Sequence, residues 1–210
     1  LSNYTYITSF TYVIIDNTQG RRESEAGAAI ASVEFQNGDR CAVTYNHSYE
    51  FLPRPFAIAR GVTLPAGGDP FDDGQVSFTL GQQRTFSGTG SVQAGSFYDG
   101  RRTTYGLTGG RLEFTNRLNV EPSISVNRVE LPAGNFTTTV IGSRVTQTFT
   151  PWMFFSALVQ FNSASRTFST NARLRWEYTP GSELFVVYND QRDTAPSGFP
   201  QLQNRALVVK

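Results

Sequence analysis

The stretch Phe168–Asp190, FSTNARLRWEYTPGSELFVVYND, decides how the chain is read. From Phe168 to Tyr178 the even positions are Phe168, Thr170, Ala172, Leu174, Trp176 and Tyr178, and the odd positions are Ser169, Asn171, Arg173, Arg175 and Glu177. Strict period-two alternation puts these two sets on opposite faces of a strand. Thr179-Pro180-Gly181-Ser182 then turns the chain, because proline fixes φ and glycine tolerates a left-handed conformation. Leu184, Val186 and Tyr188 resume the apolar face. The result is a hairpin with one dry and one charged face, and the rest of the chain has to settle which face meets water.

Outward from that hairpin the same alternation recurs. Tyr4–Ile15, Glu25–Gln36 and Arg40–Phe51 each carry one apolar face, and Asn37-Gly38-Asp39 is a strong turn signal between the last two. The segment PRPFAIARGVTLPAGGDPFDD reads as the longest irregular stretch, with Pro53, Pro55, Pro65 and Pro70 opposing regular pairing. Strands are expected around Val76–Leu80, Phe86–Ala94, up to Phe114, from Leu118 to Val126, up to Phe149, and from Phe155 to Phe161. ALVVK near the end reads as a twelfth strand. Short turns at Asn37, Gln82, Asn116, Pro151 and Pro180 alternate with longer loops near Gln19, Leu64, Asp99, Pro132, Ser165 and Pro196.

An all-β, antiparallel up-and-down meander with its short turns at one end is the pattern of an outer-membrane β-barrel. Three-residue loops would place Phe35 near Cys41, Phe78 near Phe86, Phe114 near Leu118 and Phe149 near Met153, giving one continuous apolar face. The same register places Arg111 opposite Glu121 on the polar face. In that orientation Phe35, Phe114, Phe149, Trp152, Trp176 and Tyr178 sit beside the short turns as a membrane-interface girdle. Arg111, Glu113, Glu121, Arg144, Arg173, Arg175 and Glu177 would face a lumen. Outer-membrane lipid is then the first partner, and a glycan or small solute the ligand of the polar side.

Bulk properties limit the other possibilities. A chain of 210 residues fits a single β domain. The net charge of +1 leaves no electrostatic footprint for nucleic acid. One cysteine, Cys41, precludes an intrachain disulfide, and with His47 the single histidine there is no ligand set for zinc. No cofactor or metal is expected. No apolar run reaches the roughly 18 to 20 residues of a membrane helix, and no secretory segment opens the chain.

Catalytic constellations are poor. Ser48 adjoins His47, but neighbours on a strand point to opposite faces. Glu113 with Glu121, or Glu177 with Glu183, would be glycosidase carboxylates only across a cleft of defined width; ion pairing with the nearby arginines is the simpler reading. The glycines at 88, 90 and 95 and at 106, 109 and 110 lie in strands, where a phosphate loop does not form.

RLRWEYTPGSELFVVYND, the loop PFAIARGVTLPAG after YEFL, and NRALVVK resemble the C-terminal barrel region of a family of bacterial outer-membrane proteins whose full-length members begin with a family-nine-type carbohydrate-binding module. The resemblance implies an outer-membrane barrel linked to glycan binding or uptake, and the first reading of the chain is such a barrel, or a large part of one, in a channel, transport or anchoring role. It also implies that the chain is the C-terminal part of a longer protein, because neither the module nor the closing aromatic strand end is in the sequence. Asp69, Pro70 and Gln147 depart from the pattern. Two other readings stay open: a soluble β-barrel or sandwich that binds a ligand such as a glycan, and a membrane-embedded hydrolase built on His47.

Overall fold

The computed structural model describes residues 4–18, 20–195 and 199–210. Gln19 and Pro196, two of the loop positions expected from sequence, lie outside them. The described residues form strands and connections, with no helix. The strands are β1 Tyr4–Asp16, β2 Arg22–Phe35, β3 Arg40–Leu52, β4 Phe56–Ala59, β5 Val62–Leu64, β6 Gly67–Leu80 and β7 Phe86–Phe97. They continue as β8 Gly100–Thr115, β9 Leu118–Leu131, β10 Gly134–Thr150, β11 Met153–Asn162, β12 Thr167–Thr179, β13 Ser182–Asp193 and β14 Gln201–Val209. Twelve of them form one antiparallel sheet in chain order, while β4 and β5 pair only with each other. The expected meander is therefore the observed topology.

The opening hairpin folds as its pattern dictates. Trp176 pairs with Leu184, Leu174 with Val186 and Ala172 with Tyr188, so the apolar set is continuous across β12 and β13. Only Pro180 and Gly181 separate the last pair, Thr179 and Ser182, and Gly181 takes the positive φ of 82° that such a turn demands.

Several expectations need correction. Cys41 faces Val33, not Phe35, because the β2–β3 turn is centred one residue earlier than expected: Phe35 N donates to Asp39 O at 2.8 Å, and Asn37 Oδ1 accepts from Asp39 N at 3.1 Å. An offset of two residues keeps every side chain on its face, so the apolar face survives. Met153 pairs with Thr150 across a register shift, and the apolar Phe155 opposes Gln147. The expected loops at Asp99 and Pro132 are two-residue turns, Tyr98-Asp99 and Pro132-Ala133, and the Gln82 turn spans five residues from Gly81 to Thr85. Short and long connections thus alternate less cleanly than the sequence suggests.

The proline-rich segment is also not irregular. Pro53, Pro55 and Pro65 flank the β4–β5 hairpin, where no ladder donor is required, and β6 begins at Gly67 and runs through Pro70, opposite Tyr49.

By compactness the chain divides into two units, one of residues 1–81, 89–106 and 126–137, the other of 82–88, 107–125 and 138–210. In the first, Leu52, Val62, Leu64, Val129 and Leu131 form a small core with Ile58, Phe97 and Phe136 packed against it. Leu52 shares its face of β3 with Asn46 and Glu50, so the β4–β5 hairpin sits on the polar side of that sheet region.

The sheet faces have an inverted exposure. In β6, Asp73 is buried and Gln75 and Ser77 are half-buried, whereas Val76 and Phe78 are exposed. In β7, Ser91 and Gln93 are half-buried while Val92 and Ala94 are exposed. A water-soluble sheet sorts its residues the other way.

Candidate functional site

Period two carries Arg111, Glu121, Arg144, Arg173, Arg175 and Glu177 of the second unit onto one face, and register brings some of them together. Arg111, Glu121 and Arg144 line a depression of about 450 Å³ with Gln82, Gly109, Gly110 and Ser123. Arg144 Nε lies 3.8 Å from a Glu121 carboxylate oxygen on the neighbouring strand, and Arg111 bonds Glu113 on its own strand. Glycine makes the floor possible. A Cβ at Gly110 would collide with the Pro122 carbonyl oxygen, and one at Gly88 would lie 2.9 Å from the Gly110 Cα. The depression offers two guanidiniums and one carboxylate to a polar solute, with Glu113 held beside it.

The other candidates are spread out. Arg175 pairs with Glu183 and lies between the rings of Phe154 and Phe185, 5.8 and 5.9 Å from their centroids. Glu177 accepts from the turn amide of Gly181 at 3.2 Å. Arg173 lies opposite Ser156 and Val187, with no acidic partner among the described residues. Glu113, Glu121 and Glu183 are each engaged by an arginine and Glu177 by a backbone amide. That arrangement is a set of local pairs, not a carboxylate pair poised across a cleft.

The first unit has a polar site that sequence reading missed. Asp73, 7% exposed, accepts from Asn46 Nδ2 at 2.6 Å and Gln93 Nε2 at 2.8 Å, and Arg102 approaches to 3.7 Å while lying over the Phe97 ring. At the turn beyond it, Tyr98 donates to Glu50 at 2.7 Å; burial first, and this bond second, push the Tyr98 phenol well above its ordinary range.

The opposite face is apolar and bounded at both ends. Beside the turns, Phe35, Phe114, Phe149, Trp152, Trp176 and Tyr178 are all exposed, by 42% to 62%, and Trp176 and Tyr178 meet edge to face at 6.0 Å. At the far end of the first unit one rung runs Tyr12, Gly27, His47, Asp72 across four strands. His47 Nδ1 is 2.6 Å from Asp72, its Nε2 is 3.7 Å from Glu25, Tyr45 donates to Asp72 at 2.6 Å, and Tyr12 and Arg22 bond Glu25. Both ring nitrogens are aimed at carboxylates. Among the described residues no hydroxyl is hydrogen-bonded to the ring, and Ser48 points to the other face beside Phe71, so a nucleophile and base do not meet. In the second unit, at the end of β13 away from its turn with β12, Asp190 is gripped by Arg192 and Arg205.

No protein-family model matches the chain, no curated protein is similar to it, and no solved structure matches it.

Proposed function

We propose that the chain is a transmembrane β-barrel of the bacterial outer membrane, or a large part of one, with a channel, transport or anchoring role. The observation that carries this reading is the inverted exposure: over residues 75–78 of β6 and 91–94 of β7 the apolar residues are exposed and the polar ones shielded. Exposed valines and phenylalanines in a contiguous set are costly in water, at about 25 cal/mol per Å², and cost nothing in lipid. Depth supports it. From Phe35 to Glu25 is ten residues of β2, which at about 3.3 Å per residue and a tilt near 40° gives roughly 25 Å, the height of the apolar band of such barrels. The exposed aromatics beside the turns then lie where an interfacial girdle is needed.

The polar face would line the aqueous side, with the Arg111–Glu121–Arg144 depression as the place a polar solute meets the wall. The resemblance of WEYTPGSELFVVY to barrels that follow carbohydrate-binding modules makes a glycan the first ligand to try there. The test is solvent dependence. The protein should fold in detergent or phosphatidylcholine vesicles and aggregate without them; a monodisperse, folded protein in plain buffer would sink the membrane reading and favour a soluble ligand-binding sheet.

A further inference from the structure

Two arginines stand on the face of the second unit that is otherwise apolar. Arg192 Nε lies 2.6 Å from Asp190 Oδ1 and its Nη2 lies 3.4 Å from Oδ2. Arg205 Nε and Nη2 lie 3.0 and 2.9 Å from Oδ2, and the Tyr188 hydroxyl donates to the same oxygen at 3.0 Å. The Asp190 side chain is only 6% exposed. A carboxylate offers about four lone-pair sites, and these contacts crowd Oδ2 while Oδ1 takes one, so Asp190 has little capacity for the remaining donors. Each guanidinium has five N–H donors, and beyond Asp190 the further acceptors among the described residues are Pro200 O, 3.5 Å from Arg192 Nη1, and the Tyr188 hydroxyl beside Arg205. Among the described residues several of the pair's donors have no acceptor, and two guanidiniums against one carboxylate leave one net positive charge.

The surroundings name the ligand class. Beside Arg192 and Asp190 a groove of about 450 Å³ is walled by Phe168, Thr170, Tyr188, Phe199 and Pro200, and Arg205 reaches it across Asp190. Arg192 lies over the Phe199 ring at 5.1 Å, and Phe199 is 81% exposed. Asp190 opposes Thr170, eight residues from Tyr178 along β12, which places it roughly 20 Å from the aromatic end along the membrane normal, by the same rise and tilt. Planar guanidinium forks match phosphate oxygens bidentately. The His47 cluster of the first unit, with Glu25 and Asp72 against Arg22, has no such excess of positive charge.

We propose that Arg192 and Arg205, held side by side by Asp190, bind the phosphate of an acidic membrane lipid whose glycerol and first acyl carbons lie in the Phe168–Tyr188–Phe199 groove. This rests on the membrane reading above. The test is titration of the detergent-folded protein with short-chain phosphatidic acid, short-chain phosphatidylcholine and inorganic phosphate, followed by calorimetry. Phosphatidic acid should bind at least about tenfold more tightly than either of the others, and R192Q/R205Q should lose about tenfold or more of that affinity. Arg173→Gln, on the opposite face, should lose none. Arg205→Gln alone, at a half-exposed side chain that leaves the fold intact, should lose several-fold. An unchanged affinity in a folded Arg205→Gln or R192Q/R205Q variant overturns the proposal, as does equally tight binding of free phosphate. A protein that folds into phosphatidylcholine vesicles yet does not distinguish phosphatidic acid refutes this inference alone; one that needs no detergent or lipid at all refutes the reading beneath it.

Discussion

Strands β6 and β7 sort these side chains by chemistry, with Val76, Phe78, Val92 and Ala94 exposed against Asp73, Gln75, Ser91 and Gln93 shielded, whereas residues 153–159 of β11 and 184–188 of β13 are half-buried and carry apolar residues on both faces. In the second region Phe154, Leu158, Phe185 and Val187 share the face of Arg173 and Arg175. The difference is one of how charge is kept. In the first region a buried carboxylate, Asp73, is satisfied by amide donors and Arg102; in the second, Arg175 is laid between two aromatic rings and bridged to Glu183. A hydrogen-bonded buried charge depends on every partner, while a guanidinium packed on rings and half in solvent tolerates loss of its acid.

The sharpest way to break the contrast is at the hairpin that covers the polar side of the first region. Leu64 is 1% exposed, and Leu64→Ala should cost about 2–5 kcal/mol, seen as a lower denaturation midpoint and as proteolysis between residues 53 and 66. No change would mean that the β4–β5 hairpin is not docked. Next in size, Asp73→Ala should cost about 1–3 kcal/mol by stranding its donors, whereas Glu121→Gln, at an exposed pair in the second unit, should cost less than about 1 kcal/mol. Equal effects would erase the distinction between the two regions.

A smaller effect lies at Tyr98. Its raised phenol favours the neutral form in the fold, so the stability it contributes is present below the ordinary tyrosine range, near pH 10, and is lost as pH rises toward the folded-state value. Absorbance titration should show tyrosine ionising above the ordinary range, and Tyr98→Phe should reduce that step by one residue.

Much of the fold is legible because alternation survives errors of register. The β2–β3 turn is centred one residue earlier than expected and yet no side chain changes face. The same property puts Arg111 and Glu121 on one face from sequence alone, and both line the depression that Arg144 completes. What alternation could not show is where apolar residues occupy both faces, as in MFFSALVQFN, since period two is then silent. Nor could it show β6 before Val76: GGDPFDDG has the glycine, proline and aspartate of a loop, and it becomes strand because Phe71 and Asp73 find buried places on the polar face. The Asp190 cluster escaped for a related reason. Arg205 is four residues into a strand of which only ALVVK carried an apolar signal.

The central claim is that the exposed apolar face meets lipid, and one pair of variants tests it most directly. Val76 is 55% exposed and Gln75, its neighbour on the other face, is half-buried. Measured as folding free energy into phosphatidylcholine bilayers, Val76→Arg should cost about 2–4 kcal/mol, and Gln75→Arg less than about 1 kcal/mol, since it joins the polar side. A Val76→Arg variant that folds into bilayers as well as the parent, with the larger penalty falling on Gln75→Arg, would contradict the account.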